Sequence, residues 1–273
     1  MTDAILISGC QRSGTTLMNL VFDSHPQIRG VDETYFRRHF TLTKLRDLLA
    51  AEQEHALMSF KIPMQSHELD RIATASEAKS RLVWMVRDPR AVVASMVQLH
   101  LPINKFVSVS WAASFIHKEI INVLQTLPAA WLEPLADPIH RFRLIENIPS
   151  ILRPAEDIYF TAALCWRLKL LTLAWHQENH LPCRVVHYER LVQQPALELR
   201  QLFGDLEIAW DDRVLAHHQH AKVDVIGGTR REKPISRTGL DKWKQSLPAS
   251  AMDIIEELCA KPAADLGYDL SKK

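Results

Sequence analysis

The sequence predicts an α/β fold of the P-loop type, with a central parallel sheet flanked by helices in three layers and a helical insertion. Three observations predict it. Short apolar runs alternate with stretches of helical length, the pattern of a parallel sheet covered by helices on both faces. The first run, Ala4–Ser8 (AILIS), leads straight into a glycine-bounded loop, Gly9–Gly14, and then into a helix. A second run, Arg81–Val86 (RLVWMV), is apolar enough to be buried on both faces and stops just before Asp88-Pro89.

Taken in order, Ala4–Ser8 is the first buried strand, and Thr15–Ser24 (TTLMNLVFDS) is the helix after it, stopped by His25-Pro26. Gln27–Val31 reads as a short strand, followed by the acidic pair Asp32-Glu33. Leu42–Glu54 is helical in pattern, and Ala56–Ile62 (ALMSFKI) is the next strand. After Arg81–Val86, Asp88 and Pro89 suit the N-cap and first position of a helix that runs through Ala91–Leu99. Leu101–Pro154 is the least regular stretch, with one helix at Ser110–Leu127 and a proline-studded remainder. Ala155–His180 reads as a long amphipathic helix and Arg184–Tyr188 (RVVHY) as a further strand. A basic loop, Gly227–Arg237 (GGTRREKPISR), precedes helical material that reaches the end of the sequence.

These elements fit one domain over residues 1–273, elaborated at about 101–160. A 47% hydrophobic and 24% charged composition is that of a soluble globular protein. The net charge of +1 gives no global field to recruit nucleic acid or an anionic membrane, so any anion site is local. No apolar stretch approaches the roughly 20 residues of a membrane span. The four cysteines, Cys10, Cys165, Cys183 and Cys259, form neither a CxxC pair nor a metal-ligand spacing, which points to reduced thiols and a cytoplasmic protein.

The loop carries the first chemistry. Gly9 and Gly14 have the spacing of a phosphate-binding loop, but Thr15 stands where that motif has its lysine. Backbone N–H groups at a helix N-terminus attract anions, Ser13, Thr15 and Thr16 add hydroxyl donors, and Arg12 supplies a fixed positive charge. A tight turn with incidental hydroxyls is the plain alternative. The second motif is Arg87-Asp88-Pro89-Arg90 with Ser95. Asp88 at the end of a strand invites a Mg²⁺ role, yet its N-cap duty explains it and two flanking arginines oppose a divalent cation. Arg87 and Ser95 instead suit a second phosphate. Two phosphate sites on adjacent strands fit a nucleotide phosphorylated at both ends of its ribose.

These residues resemble the sulfotransferases. Gln11-Arg12-Ser13-Gly14-Thr15-Thr16 is similar to their 5′-phosphosulfate loop, and Arg87-Asp88-Pro89-Arg90 with Ser95 to their 3′-phosphate motif. The tyrosylprotein sulfotransferases are nearest in pattern. They share Arg12–Met18 (RSGTTLM), Asp23-x-His25-Pro26, the acidic pair with Thr34, and similar stretches at His187–Val192 (HYERLV) and Ile208–His218 (IAWDDRVLAHH). The closing Lys233-Pro234, Lys242-Trp243 and Leu266–Asp269 also match. Residues 34–56 and 101–160 lie outside the resemblance.

The resemblance implies 3′-phosphoadenosine 5′-phosphosulfate (PAPS) as donor, adenosine 3′,5′-bisphosphate (PAP) as product, and no metal. A sulfuryl group carries less negative charge than a phosphoryl group, so preorganised Arg, Lys and backbone donors suffice. It implies Glu33 as the general base toward an acceptor hydroxyl, with His25 as a rival whose His-Pro setting favours a structural role. Lys61 matches the lysine near the bridging oxygen, although an ordinary surface lysine fits the same pattern. Tyr188, at a strand end, packs on the nucleotide or in the core. Lys233 and Arg237 belong to a flap over the nucleotide. His217, His218 and His220 have no acidic or cysteine partner in sequence and read as structural. The rival activities are an ATP-dependent kinase and a non-catalytic nucleotide-binding module.

The acceptor is less determined. Tyr35 and Phe36 precede Arg37 and Arg38, where the tyrosylprotein enzymes place arginines that grip acidic peptides. The insertion carries Trp111, Phe115, Ile116, Ile120, Ile121, Trp131, Phe142 and Ile151, more apolar groups than one helix uses. Together these favour a small apolar hydroxyl acceptor over a tyrosine peptide, with the insertion as a wall or lid over it. A homodimer stays open.

Overall fold

The computed structural model describes residues 2–36, 40–100, 110–148, 155–225 and 229–271, with the backbone alone at 99–100, 110–115 and 155. Arg37, Arg38, Ile151, Gly227 and the side chains of Trp111 and Phe115 therefore lie outside the described residues. The chain divides into two compact units, Met1–Val86 with His176–Arg237, and Arg87–Trp175 with Thr238–Lys273.

The first unit holds the sheet. Its strands are β1 (Asp3–Gly9), β2 (Ile28–Val31), β3 (Leu57–Lys61), β4 (Ser80–Val86) and β5 (Cys183–His187), all parallel, in the order β2-β3-β1-β4-β5. The parallel sheet and α/β class follow the sequence reading. Ala4, Ile5, Leu6 and Ile7 are fully buried, as a strand covered on both faces requires. The chain leaves β1 for the far edge at β2, returns through β3, then crosses to β4. The order therefore reverses at β1, and the crevice beyond the carboxyl ends there is the usual ligand position in such sheets.

Helix α1 (Thr15–Asp23) packs on β1, β2 and β3. It is followed by α2 (Leu42–Ala51), whose Thr41 N-cap accepts from Lys44 N–H, and by α3 (Leu69–Ala75).

The second unit begins with α4 (Pro89–His100) and α5 (Ser110–Thr126). The proline-studded stretch beyond α5, expected to be irregular, folds into α6 (Ala129–Leu132) and α7 (Ala136–Glu146). Pro128, Pro134 and Pro138 sit at helix starts, where a missing N–H costs little.

Helix α8 (Ala155–Glu178) is not the amphipathic helix that the sequence led one to expect. Leu164, Trp166 and Leu168 are buried, and so are Lys169 and Thr172. Two of its buried polar residues find partners inside the protein. Lys169 Nζ lies 3.2 Å from the Glu119 carboxylate of α5, both 1% exposed, and Thr172 donates to Leu168 C=O.

Returning to the first unit, α9 (Tyr188–Gln193) and α10 (Pro195–Asp205) pack against β5, and α11 (His217–His220) touches α1. Tyr188 therefore opens a helix and does not end the strand. The chain closes in the second unit with α12 (Ala249–Asp265), terminated by Gly267 at φ 81°.

Candidate functional site

The loop after β1 is shaped for close approach. Gly9 and Gly14 adopt φ 132° and 97°, conformations that suit glycine. A Cβ at Gly14 would stand 2.5 Å from Tyr188 Cδ2, so the tyrosine ring lies directly on the glycine. Arg12 takes φ 69°, a strained setting for an arginine that holds the turn ahead of α1. Ser13 is fully buried and its Oγ finds no partner among the described residues, as does the buried Gln11 Oε1. Polar atoms buried in this way around a helix N-terminus fit an anion cradle.

Beside that loop three neighbouring chain ends converge. Lys61, the last residue of β3, is 2% exposed, and its Nζ lies 2.8 Å from Asp32 Oδ2 and 3.0 Å from Glu33 Oε1. It also donates to Thr16 Oγ1 at 3.2 Å. Lys61 is thus no surface lysine. Asp32 is buried, whereas the Glu33 side chain is 30% exposed. Glu33 opens a 3-10 turn, Glu33–Phe36, that begins where β2 ends. Sequence reasoning named Asp32 only as part of an acidic pair and missed its contact with Lys61. The adjacency of two carboxylates was the available signal.

His25 is committed to the fold. Its Nε2 donates to Ala209 C=O at 3.0 Å and its Nδ1 accepts from Gln27 N–H at 3.2 Å. Burial lowers its pKa, against the hydrogen bond to Ala209 C=O. Asp23, two residues earlier, accepts from Gly30 N–H at 2.7 Å and from the N–H groups of Lys222 and Val223. A cleft of about 780 Å³ runs along this edge, past Arg29, Asp32, Thr34, Tyr35, His55 and Lys222.

The basic loop after α11 is exposed at Lys233 and Arg237. The Arg237 guanidinium donates to Gln193 C=O at the end of α9, and Lys233 N–H donates to Arg230 C=O. His217 is fully buried, with its pKa lowered to about 4 by burial and by His218. His218 and His220 share its short helix.

In the second unit the Arg87–Arg90 motif is framed tightly. Asp88 Oδ1 accepts from Arg90 N–H at 2.8 Å, the N-cap bond expected of it, and its Oδ2 pairs with Arg90 Nη2 at 2.8 Å. Asp88 is therefore spoken for without a metal. Arg90 stacks 4.2 Å over Trp243 and donates to Asp269 C=O. The closing motifs thus brace this turn. Arg87 Nη2 donates to Gly239 C=O at 3.2 Å, and Ser95 lies half-buried on the second turn of α4.

The comparisons agree with this geometry. The sequence model of the Sulfotransferase family matches residues 4–78, the span holding the loop, the acidic pair and Lys61. The zebrafish (Danio rerio) protein-tyrosine sulfotransferase 1 is 26% identical, over 97% of this chain and 72% of its own length. The chicken (Gallus gallus) protein-tyrosine sulfotransferase 2 is 24% identical, over 97% and 69%. The chain resembles the sulfotransferases.

In fold the chain is similar to a mouse sulfotransferase complexed with PAP, at a TM-score of 0.52, with 14% identity and coverage of 99% and 88%. It is equally similar to a sulfotransferase domain of the curacin biosynthetic pathway, at a TM-score of 0.50, with 16% identity and coverage of 98% and 99%. Its resemblance to the tyrosylprotein enzymes extends along nearly all of the chain.

Proposed function

We propose that this sulfotransferase moves the sulfuryl group of PAPS to a hydroxyl by in-line displacement, with Glu33 as general base. The observation that carries the reading is the contact of Lys61 Nζ with both Glu33 and Thr16, at 3.0 and 3.2 Å. It joins a candidate base, a candidate leaving-group cation and the phosphate loop in one cluster. The acceptor oxygen forms a bond to sulfur as its proton passes to Glu33. The bond from sulfur to the bridging oxygen breaks, and its electron pair stays on the 5′-phosphate of PAP. Lys61, Arg12 and the amides and hydroxyls of Gln11, Ser13, Gly14, Thr15 and Thr16 stabilise the charge that develops there. The resemblance gives Arg87 and Ser95 the 3′-phosphate, Tyr188 a nucleotide contact, and Lys233 and Arg237 the flap.

For the acceptor we take a tyrosyl side chain in a polar peptide. The sequence leans toward a small apolar acceptor, but two observations lean the other way. The cleft beside Asp32 and Thr34 has charged walls at Arg29, His55 and Lys222. The curated relatives are named for protein tyrosine. A cytoplasmic setting remains part of the proposal, resting on four cysteines that are all free thiols.

A PAP-release screen without Mg²⁺ tests the whole reading, with tyrosine peptides, small phenols, aliphatic alcohols and glycans as arms. Turnover on peptides supports it. Turnover on small phenols alone overturns the acceptor and keeps the chemistry. A requirement for Mg²⁺ and ATP overturns both.

A further inference from the structure

We infer that Asp32 is a positioning residue, the permanent counter-ion that holds Lys61 while Glu33 changes charge during turnover. The inference rests on the reading of Glu33 and Lys61 just given. Lys61 Nζ has three oxygens around it: ion-pair contacts to Asp32 Oδ2 at 2.8 Å and Glu33 Oε1 at 3.0 Å, and a hydrogen bond to Thr16 Oγ1 at 3.2 Å. The two carboxylates are not equivalent. Asp32 is 2% exposed and built into the turn, its Oδ1 accepting from Thr34 N–H at 3.1 Å and its C=O from Tyr35 N–H at 2.9 Å. Glu33 is 30% exposed and reaches the lysine from the solvent side.

That inequality separates two duties that one carboxylate performs badly. A buried ammonium without a counter-ion is costly. If Glu33 alone balanced Lys61, taking the acceptor's proton would strand the lysine's charge at the moment the reaction needs it. With Asp32 in place, protonation of Glu33 leaves a matched pair of Lys61 and Asp32. It also weakens the hold of Glu33 on one lysine N–H, which is released toward the leaving oxygen. Thr16 fixes a second N–H at the start of α1, so the lysine keeps its aim.

The test is a double-mutant cycle on the full chain, read by PAP release from PAPS with 4-nitrophenol or with water alone. In the wild-type background, Asp32→Asn lowers kcat about 10- to 100-fold, part of the 10²–10³ that one preorganised donor supplies. PAP affinity and the KM for PAPS stay within about twofold, since neither carboxylate grips the nucleotide. In a Lys61→Met background the same substitution changes kcat by less than about twofold, because the residue acts only through the lysine. An unchanged kcat in Asp32→Asn overturns the inference, and so does an equal loss in both backgrounds. If Asp32→Asn does not fold, the uncharged pair Lys61→Met with Asp32→Asn is compared with Lys61→Met alone. Equal kcat supports the inference and a further loss overturns it. Full kcat in Glu33→Gln or Lys61→Met defeats the underlying reading instead, which separates the two failures.

Discussion

Glu33 and Lys61 stand 3.0 Å apart, oxygen to nitrogen, at the ends of neighbouring chain segments, with the lysine buried and the glutamate open to solvent. On the proposed reading, this pairing gives the base access to an acceptor while its partner stays inside. Glu33→Gln keeps the shape and removes the basic oxygen. Turnover should fall by about 10²-fold or more, within the 10²–10⁴ that a general base contributes. PAP affinity by calorimetry should stay near wild type; a retained kcat would move the base elsewhere.

Arg87 is proposed to address the 3′-phosphate of the donor. Its guanidinium donates to Gly239 C=O, and its own C=O accepts from Trp166 Nε1 at 3.0 Å, so the residue is anchored at both ends. Arg87→Ala should weaken PAP binding by about 1.5–3 kcal/mol, the scale of a charged hydrogen bond. AMP, which lacks the 3′-phosphate, should bind equally to both proteins. Equal losses for PAP and AMP would remove Arg87 from the 3′-phosphate.

Gly14 tests the loop. Any side chain there meets φ 97° and the Tyr188 ring at once. Gly14→Ala should cost about 1–3 kcal/mol from backbone strain and lower PAP affinity. Adding Tyr188→Ala should recover the part due to the ring but not the part due to φ. Thermal unfolding of the two variants separates them, and full recovery would show that strain contributes nothing.

Acid should destabilise the protein through buried histidines. Burial lowers the pKa of His25, His176, His187 and His217, with His217 reaching about 4. The neutral form is favoured when folded, so stability is complete above the unfolded value near 6.5 and is lost as pH falls below it. For His217 the loss runs from about 6.5 down to about 4 and amounts to something on the order of 3 kcal/mol. His217→Gln should flatten denaturant midpoints across that window. An unchanged pH slope would mean that His217 is protonated at little cost.

The strands were legible because a sheet covered on both faces demands apolar runs, and β1 and β4 are such runs. Arg87 was picked out by its place just before a helix, and Lys61 by its strand end together with the resemblance to the sulfotransferases. What escaped the sequence was whatever depends on a distant partner. Lys169 in α8 looks like a solvent-facing residue until Glu119, on another helix, meets it in the interior. The same holds for Asp23, whose partners include Lys222 and Val223 about 200 positions away. Asp32 escaped for a different reason. Two adjacent acids in a sequence do not reveal which one turns inward, and only the packing of β2 beside β3 decides it.

The Asp23 carboxylate has a consequence for how the molecule meets other chains. Strand β2 is an edge of the sheet, and a bare edge is a template onto which foreign strands add. Here Gly30 N–H is occupied by Asp23, and Ile28 N–H donates to His25 C=O. The donors that a visiting strand would seek are already taken by the protein's own turn. A peptide that enters the cleft along this edge therefore cannot extend the sheet there. On the proposed peptide reading, such a substrate is held there by its side chains and not by added strand pairing.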